Sequence, residues 1–328
     1  MPGLDEFSLI ERLFAPLAAR HPGALGLTDD AALIDGPAGQ QWAITTDALV
    51  AGVHFLPDDP PDLIARKLLR VNLSDLAAMG ATPFAVLLAT CFPLGVDERW
   101  LECFASGLKT DCEIFSVAVI GGDTVATPGP LTLAVTAIGA VAQGSALLRS
   151  NARSGDDIWV SGAIGDAAFG LLVAQGRTSG LTPAAVEALL ERYRLPSPRT
   201  ALGPALIGLA RAAMDISDGL IGDLDHICKT SGVGAVVEAG RLPLSAAVEA
   251  AMAAGFGGVE RALTGGDDYE LLFTVPPDKA AAIGELGRRL GLRLTKIGQI
   301  IDGEGVRVVN ANGDPLTLTG SGYRHFGG

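Results

Sequence analysis

Apolar residues recur at helical spacing over Glu6 to Ala19 (Leu9, Ile10, Leu13, Phe14, Leu17), which predicts a short amphipathic helix ending before His21-Pro22-Gly23. The pattern then changes to strands. Ala31 to Ile34 and Trp42 to Thr46 are short β-like runs separated by Asp35-Gly36-Pro37-Ala38-Gly39, a hairpin signal. After Pro60-Pro61-Asp62 comes a long helical stretch, Leu63 to Met79, with an apolar face of Leu68, Val71, Leu76 and Met79, stopped by Gly80-Ala81-Thr82-Pro83. A strand (Phe84 to Thr90), a helix (Asp97 to Cys112) and two strands (Ser116 to Ile120, Leu131 to Val141) follow. Strands separated by crossing helices predict an α/β, α+β-layered sheet with helices on one face.

Around Gly144 to Asp157 the chain becomes polar and glycine-bearing, and the domain junction is expected there, dividing it into residues 1–145 and 146–328. The second half restarts with Ile158 to Ser161, a helix from Asp166, a helical region from Pro183 to Arg194 and the break Pro196-Ser197-Pro198. Helices and strands then alternate to Val309, and the tail reads as turns and a short strand. A length of 328 residues suits two such units, each with its own core, and two lobes invite a cleft between them.

Composition narrows the classes. Hydrophobic residues make up 48% and aromatics 5%, with 43 glycines, a profile of Ala/Leu/Val cores joined by tight turns. The mean hydropathy is positive, yet the most apolar runs are short or interrupted, as buried strands are. Asp5, Glu6 and Glu11 precede any apolar block, unlike a signal peptide, so a cytoplasmic location is expected. Cys91, Cys103, Cys112 and Cys228 form no CxxC pair and read as reduced core thiols. With 37 acidic against 24 basic residues and no Lys/Arg stripe, partnership with nucleic acid or an anionic membrane is not expected.

What matters is where the acids sit. Several lie beside Gly, Thr or Ser at the ends of apolar strands: Thr28-Asp29-Asp30, Thr45-Thr46-Asp47, Asn72-Leu73-Ser74-Asp75, Gly121-Gly122-Asp123-Thr124, Asp215-Ile216-Ser217-Asp218-Gly219 and Gly265-Gly266-Asp267-Asp268-Tyr269-Glu270. Any one of them alone reads as a turn or a helix cap. Their recurrence points to hard oxygen ligands for a divalent cation, because magnesium keeps its waters and takes a few carboxylates plus substrate phosphates. A pocket lined by carboxylates also repels ATP unless cations stand between the two sets of charge.

Phosphates need donors as well, and Gly121-Gly122 and Gly162 to Gly165 could offer backbone N–H groups; the second is equally a tight strand-to-helix turn before Asp166. No GxxxxGK[ST] loop and no protein-kinase signature set is present. Asp215 to Asp218 reads as a strand end entering a helix capped by Ser217 or Asp218, with Leu220, Leu224 and Ile227 buried behind. Asn72 and Asp75, three apart, share a helix face opposite a mostly apolar stripe. His54 is either a structural histidine or, from its place beside Thr45-Thr46-Asp47, a ligand contact. Arg149 and Arg153 are either surface charges or phosphate grips at the junction.

Taken in order, Asp29 to Ala32, Thr45 to Phe55, Asn72 to Ala81, Gly121 to Thr124, Met214 to Leu220 and Gly265 to Leu271 resemble the thiamine-monophosphate kinases over nearly the whole chain. The wider superfamily includes aminoimidazole ribonucleotide synthetase, selenophosphate synthetase and a hydrogenase-maturation ATPase. The resemblance implies a two-domain subunit of aminoimidazole ribonucleotide synthetase-like fold, a homodimer whose N-terminal sheets form a shared barrel, and active sites in the cleft between lobes. It also implies several Mg2+ ions, with ATP as co-substrate and thiamine monophosphate as acceptor. Carried over by motif, Asp30, Thr45, Thr46, Asp47, Asp75, Asp123 and Asp215 correspond to magnesium ligands, and Asp218 to the ligand of a further ion. Gly121, Gly122, Arg149 and Ser217 correspond to ATP contacts, and His54 to a substrate contact. The family commonly writes GGEDYE, and Asp268 is taken as standing at the longer carboxylate that reaches substrate. An aromatic near the C-terminus, Tyr323 or Phe326, is expected against the thiamine rings.

The activity implied is phosphoryl transfer from ATP onto an existing phosphate by positioning and charge neutralisation, with no catalytic acid or base residue assigned. A sister ATP-dependent synthetase and a non-catalytic nucleotide- and metal-binding scaffold are the alternatives.

Overall fold

The structure, a computed structural model, describes residues 25, 27–36, 38–320 and 322–323. The helix expected over Glu6 to Ala19, and Phe326, lie outside the described residues. The first half contains β1 (Ala32–Asp35), β2 (Gln40–Val50), α1 (Pro61–Ala78), β3 (Thr82–Pro93), α2 (Glu98–Phe115), β4 (Ala118–Thr127) and β5 (Thr132–Ala142). Its five-stranded sheet runs β1-β2-β5-β3-β4, with β1 and β2 forming the expected hairpin and Ile34 opposite Trp42. Burial alternates along β5, so one sheet face lies on the core and the other is open. Helix α1 covers the buried face, and α2 lies against α1 at Gly107, where a Cβ would fall 2.2 Å from Asp62 O.

One difference concerns β4. Gly121 and Gly122 were expected in a turn, but they lie inside this strand, paired in parallel with β3. The register shifts between Val86 and Leu87, and a Cβ on Gly122 would lie 1.8 Å from Leu88 O. The glycines permit a close strand approach beside a bulge.

The second half contains β6 (Asp157–Ser161), α3 (Asp166–Ala174), α4 (Pro183–Arg194), α5 (Leu202–Leu206), β7 (Ala212–Asp215), α6 (Leu220–Ser231), β8 (Gly234–Glu238), α7 (Ala246–Ala253), α8 (Val259–Thr264), β9 (Leu271–Val275), α9 (Ala280–Leu290), β10 (Leu294–Ile301) and β11 (Gly305–Val309). The six-stranded sheet runs β11-β8-β10-β6-β9-β7 and is antiparallel except for β8 with β11. The chain is thus a two-sheet α/β protein.

Helix α1 joins the halves. Its Leu68, Leu73 and Leu76 belong to the core under the first sheet, while Ala77 and Ala78 pack with Leu202, Ala213, Leu271 and Phe273 of the second half. The single apolar stripe expected for it is therefore only part of the picture: Lys67, Asn72 and Ser74 are buried too, because both lobes press on the helix. Polar ties cross the same seam. Arg70 donates to Pro196 O at 2.9 Å, and Arg194 Nε to Asp59 at 2.7 Å.

Candidate active site

Four segments converge at this seam: the turn before β1 brings Asp30, β2 brings Thr45 and Asp47, α1 brings Asn72, Ser74 and Asp75, and the C-terminal end of β7 brings Asp215. Asp30, Asp75 and Asp215 each offer an oxygen, and these atoms all lie within 4.8 Å of one another. Strand alternation turns Thr45 and Asp47 toward α1. Thr45 Oγ1 donates to Asp75 Oδ2 at 2.6 Å, and the Asp47 N–H donates to Asn72 Oδ1 at 3.0 Å. Asn72 is itself fixed by its Nδ2 donating to Leu68 O at 2.9 Å.

Gathering carboxylates this way shifts their protonation. Burial, then the charges of Asp47, Asp215 and Asp30, push the Asp75 carboxyl well above the usual range. Burial and the neighbouring Asp30 push Asp215 up to about 8. Arg149 enters from the segment between the lobes and donates to both oxygens of Asp30, while its backbone N–H donates to Asp29 at 2.8 Å. Burial works against the guanidinium's charge, but Asp30 outweighs it and holds Arg149 protonated. Asp215 Oδ2 and Ser74 Oγ are buried with no hydrogen-bond partner among the described residues; the two side chains are close enough to interact, but outside hydrogen-bond geometry. Orphaned hard oxygens inside a carboxylate group fit magnesium.

The loop between β7 and α6 is held by a residue the sequence did not single out. The helix was expected to be capped by Ser217 or Asp218. Instead Asp223, one turn inside α6, accepts through Oδ2 from the N–H groups of Ser217, Asp218 and Gly219 at 3.1, 3.2 and 3.1 Å. A carboxylate in a helix's first turn was the available signal. This arrangement leaves the Ser217 and Asp218 side chains half-buried at the cluster's edge. The Tyr323 N–H donates to Asp218 O at 2.8 Å, which brings the C-terminal aromatic, half exposed, against the same loop.

His54 lies in the turn after β2. Its Nδ1 accepts from the Val50 N–H at 3.0 Å, which assigns the ring proton to Nε2. Asp268 requires a correction. It is 1% exposed and accepts from the Gly165 N–H at 2.7 Å, with Ala167 N a longer contact at 3.4 Å, so it closes the start of α3 rather than facing a ligand. In GGEDYE the longer carboxylate in fact aligns with Asp267, whose side chain is 29% exposed. Left-handed backbone at Asp267 and Tyr269 (φ 73° and 48°) sends the adjacent aspartates to different sides. Lys67 is the second residue missed; its signal was a lysine at helical spacing between Ile64 and Val71 on the apolar face.

Other assignments do not meet the cluster within one chain. Thr46 points to the opposite sheet face, where Oγ1 donates to Val135 O at 3.0 Å and accepts from Thr136 at 3.2 Å. Asp123, Gly121 and Gly122 are on β4, three strand spacings from β2, roughly 14 Å. The Gly162 to Gly165 turn has no N–H to spare at Gly162, Ile164 or Gly165: these donate to Arg293 O, Pro243 O and Asp268.

The N-terminal domain model of AIR synthase related proteins matches residues 28–141, and the C-terminal domain model residues 153–310. The thiamine-monophosphate kinase of Escherichia coli K12 is 45% identical over 98% of both chains. That of Caulobacter vibrioides is 43% identical, covering 98% of this chain and 90% of the relative. Among solved structures, AaThiL complexed with AMPPCP and TMP superposes with a TM-score of 0.86 at 31% identity, covering 98% of this chain and 97% of the other. On this full-length similarity, across both domains, the chain belongs to the thiamine-monophosphate kinase family of enzymes.

Proposed function

We propose that the chain phosphorylates thiamine monophosphate to thiamine diphosphate with ATP and Mg2+, by direct in-line transfer of the γ-phosphoryl group. The observation that carries this reading is the meeting of Asp30, Asp75 and Asp215 oxygens within 4.8 Å at the seam between lobes. Alone, these groups repel ATP and the acceptor phosphate alike. Magnesium held by Asp30, Asp47, Asp75 and Asp215 would supply the positive charge that bridges and neutralises the phosphates. In the transfer, a phosphate oxygen of the acceptor bonds to the γ-phosphorus as the bond from that phosphorus to the ADP oxygen breaks, and ADP leaves with the electron pair. The attacking oxygen is already deprotonated near neutral pH, so no general base is assigned.

The remaining work is positioning. Arg149 sets a fixed positive charge beside Asp30 for a nucleotide phosphate, and Ser217 sits on the loop that Asp223 holds. His54 and Asp267 mark the acceptor end. The enzyme works as a cytoplasmic homodimer. Supporting the dimer, β4 is exposed along nearly its whole length, and Phe84, Leu87, Val119, Ile120 and Val125 are exposed apolar side chains on β3 and β4. Gly121, Gly122 and Asp123 then complete the site of the partner subunit, which accounts for their distance from Asp47 in their own chain.

The test is to incubate the purified protein with ATP, magnesium and thiamine monophosphate and to assay thiamine diphosphate, beside Asp47→Asn and Asp75→Asn. Losses on the order of 100-fold are expected in each variant. Normal turnover in both removes the mechanism.

A further inference from the structure

Lys67 is an ammonium inside the protein, its side chain 3% exposed, and burial of such a charge is tolerated only where partners compensate it. Its partners come from three separate segments. Nζ donates to Asp267 Oδ2 at 2.8 Å and to His54 O at 3.0 Å, and lies 4.4 Å from the centre of the Tyr193 ring. His54 belongs to the turn after β2, Asp267 to the loop before β9, and Tyr193 to α4, so one amine ties both lobes together. Asp267 is also strapped to the carboxylate cluster, because its N–H donates to Ser217 O at 2.8 Å. The chain Lys67, Asp267, Ser217 therefore runs from the acceptor end of the cleft to the loop carrying Asp215 and Asp218.

We infer that Lys67 is a positioning residue for the phosphate acceptor: it clamps Asp267 and the His54 turn across the cleft, and so sets the shape of the pocket that receives the acceptor's heterocyclic end. The inference rests on the acceptor assignment above and goes beyond it. An apolar side chain in its place leaves the Asp267 carboxylate and the His54 carbonyl without this donor, and both sides of the pocket lose their common anchor. Arg149 is not bonded to Lys67, and Ser217 is tied to Asp267 only through a backbone bond that does not involve the Lys67 amine, so the larger effect is expected on the acceptor.

The experiment compares Lys67→Met, Asp267→Asn and the double variant in the full chain. It reads KM for thiamine monophosphate, KM for ATP, kcat, melting temperature and the calorimetric Kd for thiamine monophosphate. Lys67→Met is expected to raise the acceptor KM and Kd by about ten-fold or more with the ATP KM within about two-fold, as expected for loss of a hydrogen-bonded charged partner. The double variant is expected to bind the acceptor no worse than Asp267→Asn alone and to melt above Lys67→Met, because the unpaired, partly buried carboxylate is gone. An unchanged acceptor KM, a parallel rise in both KM values, or effects that multiply in the double variant overturn the clamp. If Lys67→Met does not fold, Lys67→Gln, which keeps a neutral donor, decides: a selective acceptor defect supports the clamp, and an unchanged acceptor KM or equal defects for both substrates overturn it. Wild-type protein that binds thiamine monophosphate without forming the diphosphate sinks the proposed reaction, while the clamp is still judged on Kd. Wild-type protein that does not bind it overturns both.

Discussion

Thr45 Oγ1 donates to Asp75 Oδ2 at 2.6 Å, and this bond fixes the separation of β2 from α1 where the carboxylates meet. It also commits one of the two Asp75 oxygens and orients the other.

Thr45→Val keeps the shape and removes that donor. The expected outcome is a folded protein whose half-saturating magnesium concentration rises by about ten-fold. Magnesium titration of activity checks this, and an unchanged curve removes the orienting role.

Asp215 has a folded-state value of about 8, against 3.8 for an ordinary carboxyl. The folded metal-free chain therefore binds a proton between about pH 4 and pH 8 that the unfolded chain does not. Stability from this group is fully present below the lower value and lost as pH rises through the upper one. The melting temperature in chelator is expected to fall from pH 6 to pH 8.5, and added magnesium to shrink that fall. At pH 7, magnesium binding is expected to release protons, measured by calorimetry in buffers of different ionisation heat. A melting temperature that rises over this window contradicts the assignment.

Asp223→Ala leaves the Ser217, Asp218 and Gly219 N–H groups without their acceptor. A stability loss of roughly 2–4 kcal/mol is expected, with a further fall in activity under conditions where the variant is still folded. Asp223→Asn, which keeps an acceptor oxygen, is expected to be milder on both counts. Denaturant melts and kcat together read the difference.

Gly122→Ala puts a Cβ 1.8 Å from Leu88 O. The β3–β4 pairing cannot accommodate it, and loss of the proposed dimer with loss of activity is expected. Light scattering after size exclusion measures the mass; an active dimer refutes the role given to β4.

Asp268→Asn is expected to behave unlike Asp267→Asn. Asp268 serves the start of α3 and is buried, so its variant should lower the melting temperature without a selective rise in acceptor KM. A selective acceptor defect at Asp268 restores it to the substrate site.

The strands and helices around the site were legible because their signals are local. Pro60-Pro61-Asp62 and Gly80 bracket α1, and the turn Asp35 to Gly39 links β1 and β2, since period and turn chemistry act over a few residues. The carboxylates of Asp30, Asp47, Asp75 and Asp215 were legible for a related reason. Only Asp215 stands at a strand end, with Asp30 before β1, Asp47 within β2 and Asp75 within α1, but the short strings that carry them follow one another along the chain in a family pattern.

Local patterns could not say how far apart such pieces end up. Gly121-Gly122-Asp123 has the look of a turn, but β4 absorbs it as a strand, and the order β1-β2-β5-β3-β4 carries it away from Asp47. The register of Gly265 to Glu270 against GGEDYE already points to Asp267, but which way Asp267 and Asp268 face depends on the left-handed backbone at Asp267 and Tyr269. The sequence by itself determined which residues could bind cations and phosphate, because that capacity belongs to each side chain's own chemistry. Only the tertiary structure decided which of them share a site and what Asp223 and Lys67 hold in place, because those are contacts between segments far apart in the chain.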